Sequence, residues 1–61
     1  MTNQDLLWRH LIERDMLEIM ITEAANDEDT LNLLLDRYNE VKRVIYNLEQ
    51  KIKKENDKSN S

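Results

Sequence analysis

Residues 31–52 read LNLLLDRYNEVKRVIYNLEQKI. Within them Leu31, Leu34, Tyr38, Val41, Ile45, Leu48 and Ile52 recur at alternating spacings of three and four. That period lays one narrow apolar seam along a helix about 33 Å long. Apolar surface of this shape leaves water only by packing against another helix, so the stretch predicts a helix-pairing protein. Upstream, Thr2 followed three residues later by Asp5 has the form of a capping box, and strong helix formers continue to Ala25. Between the two segments lies Asn26-Asp27-Glu28-Asp29-Thr30, where Asn26 suits a left-handed residue after a first helix. Asn26 or Asp27 then caps the second, and the acids meet that helix's positive end.

The organisation expected is a hairpin over residues 1–56, with a first helix at about 3–25, a turn at about 26–28 and a second helix at about 28–56. Residues 57–61 read as a disordered polar tail. A second organisation keeps the heptad running backward through the break. Its seam is Asp27, Ala24, Met20, Leu17, Glu13, His10 and Leu6, in one continuous helix of a parallel coiled coil. That rod places three ionisable residues in the seam, each costly unless paired, so the hairpin is favoured.

A chain of 61 residues makes one small domain, which buries only ~60% of the surface its unfolded form exposes. Such domains are supported by disulfides, a metal or oligomerisation. Cysteine is absent, which removes the first and is compatible with a reducing cytoplasm. A lone histidine and scattered carboxylates make no tetrahedral ligand set, so neither metal nor cofactor is expected. Glycine and proline are also absent, which disfavours hairpin sheets and glycine-rich phosphate loops and points to an all-α chain. Met1 is followed by polar residues rather than a basic start and an apolar run, and runs such as Ile19-Met20-Ile21 fall far short of a membrane span. A cytoplasmic protein is the expectation.

The first helix is apolar over a broad arc. Trp8, Ile19, Ile12, Met16, Met20, Leu6, Ala24 and Leu17 spread over about half its circumference, with Leu7, Leu11, Ile21 and Ala25 outside that arc. One partner helix does not cover so much. Two antiparallel hairpins joined as a homodimeric four-helix bundle would cover it, with the first helices near the centre. Leu7, Trp8, Leu11 and Ile21 are then candidates for contacting a larger protein, Leu7, Leu11 and Ile21 from the outer side. Trp8 with Leu11, Ile12 and Tyr38 forms a candidate anchor patch, although core packing is the more frequent role for a tryptophan flanked this way. Met16 and Met20 fill gaps or adapt to a partner.

The net charge of −4 is unevenly spread: −6 over residues 1–29, −1 over 30–41 and +3 over 42–61. An acidic first half and a basic end favour antiparallel self-pairing or a partner of complementary charge. Lys51, Lys53, Lys54 and Lys58 form a possible phosphate-binding arm, but only Arg43 stands near them and the chain is acidic, so nucleic acid is the less favoured partner. His10 lies beside Arg9 and three residues before Glu13, with no serine or cysteine nearby to act on. No catalytic set emerges.

In outline, a dimerising hairpin of about sixty residues resembles the plasmid copy-number regulators that bind paired RNA loops, which implies an RNA-binding alternative. The segment Asn32-Leu33-Leu34-Leu35-Asp36 is similar, at Leu35 and Asp36 alone, to the Ser-Gln-Glu-Leu-Asp signature of small hairpin phosphatases acting on sporulation response regulators. That resemblance implies an aspartyl-phosphate phosphatase, with no catalytic residue carried over. The reading that accounts for most residues is a non-enzymatic regulatory or adaptor protein. It would homodimerise and bind a larger protein, such as a transcriptional or stress regulator, in a bacterial or phage setting.

Overall fold

In the computed structural model the chain is all-helical. The structure describes residues 2–60, with side chains described for residues 2–56. Helix α1 spans Asn3–Glu23 and helix α2 spans Glu28–Asn60. The two fold back on each other into an antiparallel hairpin with extents of 51 × 15 × 14 Å. α2's backbone continues through Asn60, and the rest of the expectation for 57–61 lies outside the described residues.

Each helix starts where a side chain satisfies backbone donors that have no intrahelical acceptor. The Asp5 amide donates to Thr2 Oγ1 at 3.1 Å, and the Thr2 amide donates back to Asp5 Oδ2 at 3.4 Å, which completes the capping box. At the second start the Thr30 amide donates to Asp27 Oδ1 at 3.3 Å, and the Thr30 hydroxyl to Asp27 Oδ2 at 2.8 Å. Between the helices the Asp27 amide donates to the Ala24 carbonyl at 2.9 Å, closing a tight turn. This turn excludes the continuous rod. It also corrects the left-handed role expected for Asn26, since no described residue has a positive φ. Ala24 ends α1 at φ −93°, ψ 14°, within ordinary space, so the turn requires neither glycine nor asparagine.

All seven residues of the α2 seam turn toward α1. Val41, Ile45 and Leu48 are buried, while Leu31, Leu34, Tyr38 and Ile52 are half-buried. Val41, only 1% exposed, packs with Ile45 and Leu17 at the centre. Leu7, Leu11, Leu34 and Tyr38 close around them. The expected outward position of Leu7, Leu11 and Ile21 is therefore corrected: Leu7 and Leu11 line the core, and Ile21 is half-buried.

The reason lies in spacing. Leu7, His10, Arg14, Leu17, Ile21 and Ala24 repeat at three and four, matching the period of the α2 seam, and each is buried or half-buried. His10 and Arg14 enter this line because their polarity is accommodated locally. The His10 ring donates through Nδ1 to the Leu6 carbonyl at 2.7 Å, and Arg14 lays its aliphatic stem in the interface with its guanidinium 3.7 Å from Glu18.

Truncating Ile45 to Ala is expected to cost ~2–5 kcal/mol, the range for large-to-small changes in a packed core. Ile45→Asp, which buries a charge, is expected to abolish helical ellipticity at 25 °C. Leu33, on the same helix but 72% exposed, serves as the control. Leu33→Ala is expected to stay within about 0.5 kcal/mol of the parent in urea unfolding.

Candidate interaction face

With Leu7, Leu11 and Ile21 turned inward, the large apolar residues left outside on α1 are Trp8, Ile12, Met16, Ile19 and Met20. Trp8 is 66% exposed, Ile19 61% and Met16 57%. At 100° per residue, Ile12 stands opposite Ile21 and Ile19 nearly opposite Leu17. α1 thus carries two apolar faces on opposite sides of one helix, one spent on α2 and one facing water. The outer stripe runs about 18 Å along the axis from Trp8 to Met20. A rigid indole at one end and two flexible thioethers further along suit it to a protein surface.

The charged residues nearest this stripe are Asp5, Arg9, Asp15 and Glu23, all exposed. Glu13, toward the seam, is engaged by Arg37 of α2, whose Nε and Nη2 donate to its two carboxylate oxygens at 2.8 and 3.2 Å. This paired geometry draws the Glu13 carboxyl below its ordinary value, chiefly through the hydrogen bonds and further through the Arg37 charge. The Arg37 guanidinium is pushed up by the same partner, and Glu40 approaches it at 3.5 Å. At the open end of the hairpin the Asn3 side-chain amide donates to Glu55 Oε1 at 3.0 Å. These contacts fix the rotation of α1 about its axis, and with it the direction of the outer stripe.

Other polar groups are held in structural roles. The acid run Asp27-Glu28-Asp29 begins with a carboxylate committed to Thr30, which holds the Asp27 carboxyl below its ordinary range. His10 has its Nδ1 proton on a main-chain carbonyl. Asp36 is exposed and nine residues from buried Ile45, on the side of α2 opposite the seam, so it stands apart from His10 and Glu13. Lys51, Lys53 and Lys54 are exposed near the end of α2. A shallow groove beside the seam is lined by Arg14, Glu18, Tyr38, Lys42, Tyr46 and Glu49. In it the Lys42 ammonium stands 5.1 Å from the Tyr38 ring centroid, and Arg14 Nε is buried without a hydrogen-bond acceptor. Comparison with protein-family models, curated proteins and solved structures finds no match.

Sequence reasoning placed Trp8 among the partner-facing residues but assigned Ile12, Met16, Ile19 and Met20 to one broad arc shared with Leu6, Leu17 and Ala24. The structure divides that arc. The signal that separates the halves is the three-four line through His10 and Arg14, passed over because those residues are polar.

Both depressed carboxyls belong to the acid form of the stability curve. Their contribution is present above the ordinary values of 4.5 for Glu13 and 3.8 for Asp27 and is lost as pH falls through the lower folded-state values. Melting temperature should stay level from neutral pH down to the carboxylate range and then decline. Glu13→Gln is expected to lower stability at neutral pH and to flatten part of that decline. An acid limb identical to the parent's would contradict the role given to the Glu13–Arg37 pair.

Proposed function

We propose that this chain is a small non-enzymatic regulatory or adaptor protein, homodimeric in a four-helix assembly, which binds a larger protein stoichiometrically and shifts its activity. The observation that carries this reading is the second apolar face of α1. Five large side chains in water, on a helix whose opposite side is already packed, constitute a surface selected for contact rather than for folding. The regulatory part follows from the same economy. Charged groups that elsewhere perform chemistry are here spent on capping and on clamping α1 to α2, and a small binder acts by favouring one conformer of its target.

Trp8, the single tryptophan, reports on the face directly. On dilution, its emission is expected to shift to the red in step with a fall in molecular mass from twice 7.4 kDa to the monomer value. Ile12→Glu with Met16→Glu should give the monomer at every concentration while helicity is retained. Mass independent of concentration at 7.4 kDa would sink the dimer. Accelerated dephosphorylation of a phosphorylated receiver domain, lost in Asp36→Ala, would replace the adaptor reading with an enzymatic one.

A further inference from the structure

We propose that the second copy lies on the outer face of α1 in antiparallel orientation, so that the four helices form a row, α2–α1–α1–α2, rather than a square bundle. The proposal rests on the homodimer reading above and specifies its geometry.

The first argument is angular. In a square bundle each helix touches two neighbours at about a right angle, so its two apolar faces merge into one broad stripe. On α1 they do not merge. Ile12 and Ile21 are nine residues apart, which is half a turn from one another, and Trp8 and His10 are separated by about 160°. A helix of this kind is sandwiched between two neighbours on opposite sides. α2 carries a single seam, with Asp36, Arg43 and Asn47 exposed on its far side, and belongs at the edge.

The second argument is charge. Glu23, Asp27, Glu28 and Asp29 make the turn end of the hairpin acidic, whereas Arg9, Lys51, Lys53 and Lys54 add positive charge toward the open end. All are exposed. Parallel association gathers both acid turns at one end of the particle and both lysine clusters at the other. Antiparallel association moves the two acid turns to opposite ends of the particle, away from each other, and opposes the helix dipoles as well.

The third argument is the fit of side chains. A two-fold axis through the level of residue 14 centres the stripe between Trp8 and Met20. Each indole then lies over Ile19 and Met20 of the second copy, and each Ile12 over Met16. Large rigid groups meet flexible or branched ones, and the methionines accommodate the indole. Parallel association stacks Trp8 on Trp8 at one level. The antiparallel two-fold also closes the assembly, leaving no apolar stripe for a third copy.

Because the chain has no cysteine, single-cysteine variants of the whole protein accept one spin label each. Glu23→Cys and Arg43→Cys place labels on exposed positions, the first about one turn beyond the end of the stripe and the second on the side of α2 away from the seam. Pulsed dipolar spectroscopy on the dimer, with the mass of each labelled sample measured alongside, is expected to return two long distances. For Glu23 the axial offset of about 27 Å dominates. For Arg43, on the far side of α2 and closer to the level of the axis, three helix spacings of ~8–10 Å plus an outward reach of about 5 Å at each end give roughly 37 Å. A Glu23 distance near 10 Å, one helix spacing, would overturn the antiparallel orientation and leave the dimer standing. An Arg43 distance of about 25 Å or less, a bundle diagonal with the same outward reach, would overturn the row. A monomeric mass for the labelled and the parent chain alike would remove the homodimer reading itself, and leave the face to a different protein.

Discussion

The hairpin depends on one match of period: the three-four seam of α2 meets a three-four line on α1. Leu31, Leu34, Tyr38, Val41, Ile45, Leu48 and Ile52 present a straight apolar edge, and only a line with the same repeat remains opposite it for the length of the contact. On α1 that line is Leu7, His10, Arg14, Leu17, Ile21 and Ala24, two of whose members are polar. The more apolar line, through Trp8, Ile12, Met16 and Ile19, runs at four, four and three, a longer period that falls out of step with the α2 seam. Geometry outranks hydrophobicity here because α2 offers no alternative edge. His10 is accepted because a main-chain carbonyl takes its Nδ1 proton, and Arg14 because its guanidinium is paired at 3.5 and 3.7 Å with the carboxylates of Asp15 and Glu18, although its Nε is left without an acceptor.

From this choice follows the face that remains. Had the line through Trp8, Ile12, Met16 and Ile19 turned inward, Leu7, Leu17 and Ile21 would have stood in water in its place. Instead Trp8, Ile12, Met16, Ile19 and Met20 stay in water. The core of buried residues is correspondingly thin, comprising Leu17, Val41, Ile45 and Leu48. For so short a chain the burial it lacks and the apolar surface it displays are two aspects of one arrangement. The clamps reinforce it. Glu13 with Arg37, and Asn3 with Glu55, link the helices at two levels on the open-end side of Leu17 and resist rotation of α1 that would hide the stripe.

How much of this was legible in the sequence differs between the two helices. α2 was readable because its period is regular and its apolar set unique. The start of each helix was readable too, since Thr2, Asp5, Asp27 and Thr30 have side chains whose hydrogen-bonding preferences are local. The turn, expected at about 26–28, lies between Glu23 and Glu28, and its backbone differs from the one expected. A tight turn with Ala24 in ordinary φ/ψ space serves as well as a left-handed asparagine, and residue preference alone does not separate them. α1 resisted because its moment nearly cancels: apolar residues on opposite sides leave no dominant direction, so no wheel drawn from α1 alone reveals which side faces α2. That information resides in the other helix. Only a search for the α1 line sharing the period of α2, with polar residues admitted, would have assigned Leu7, Leu11 and Ile21 to the inside and the Trp8–Met20 stripe to the outside.

An exposed stripe of this composition also constrains what binds it. Trp8 contributes large contact area with few rotatable bonds, whereas Met16 and Met20 contribute area with many. The first favours specificity and the second tolerance, so a surface combining them at opposite ends holds one partner in a defined position while adjusting to its relief. A second copy presents the same combination reversed, with the rigid end of one stripe meeting the flexible end of the other. Self-association then needs no complementary partner surface to have arisen separately. It needs only that the stripe be about as long as the segment on either side of its midpoint allows, and the 18 Å between Trp8 and Met20, centred near residue 14, satisfies that condition within α1, Asn3–Glu23. Any larger protein regulated by this chain must either compete for that stripe or use the surfaces that remain, among them the groove of Tyr38, Lys42 and Tyr46 on the flank of the hairpin.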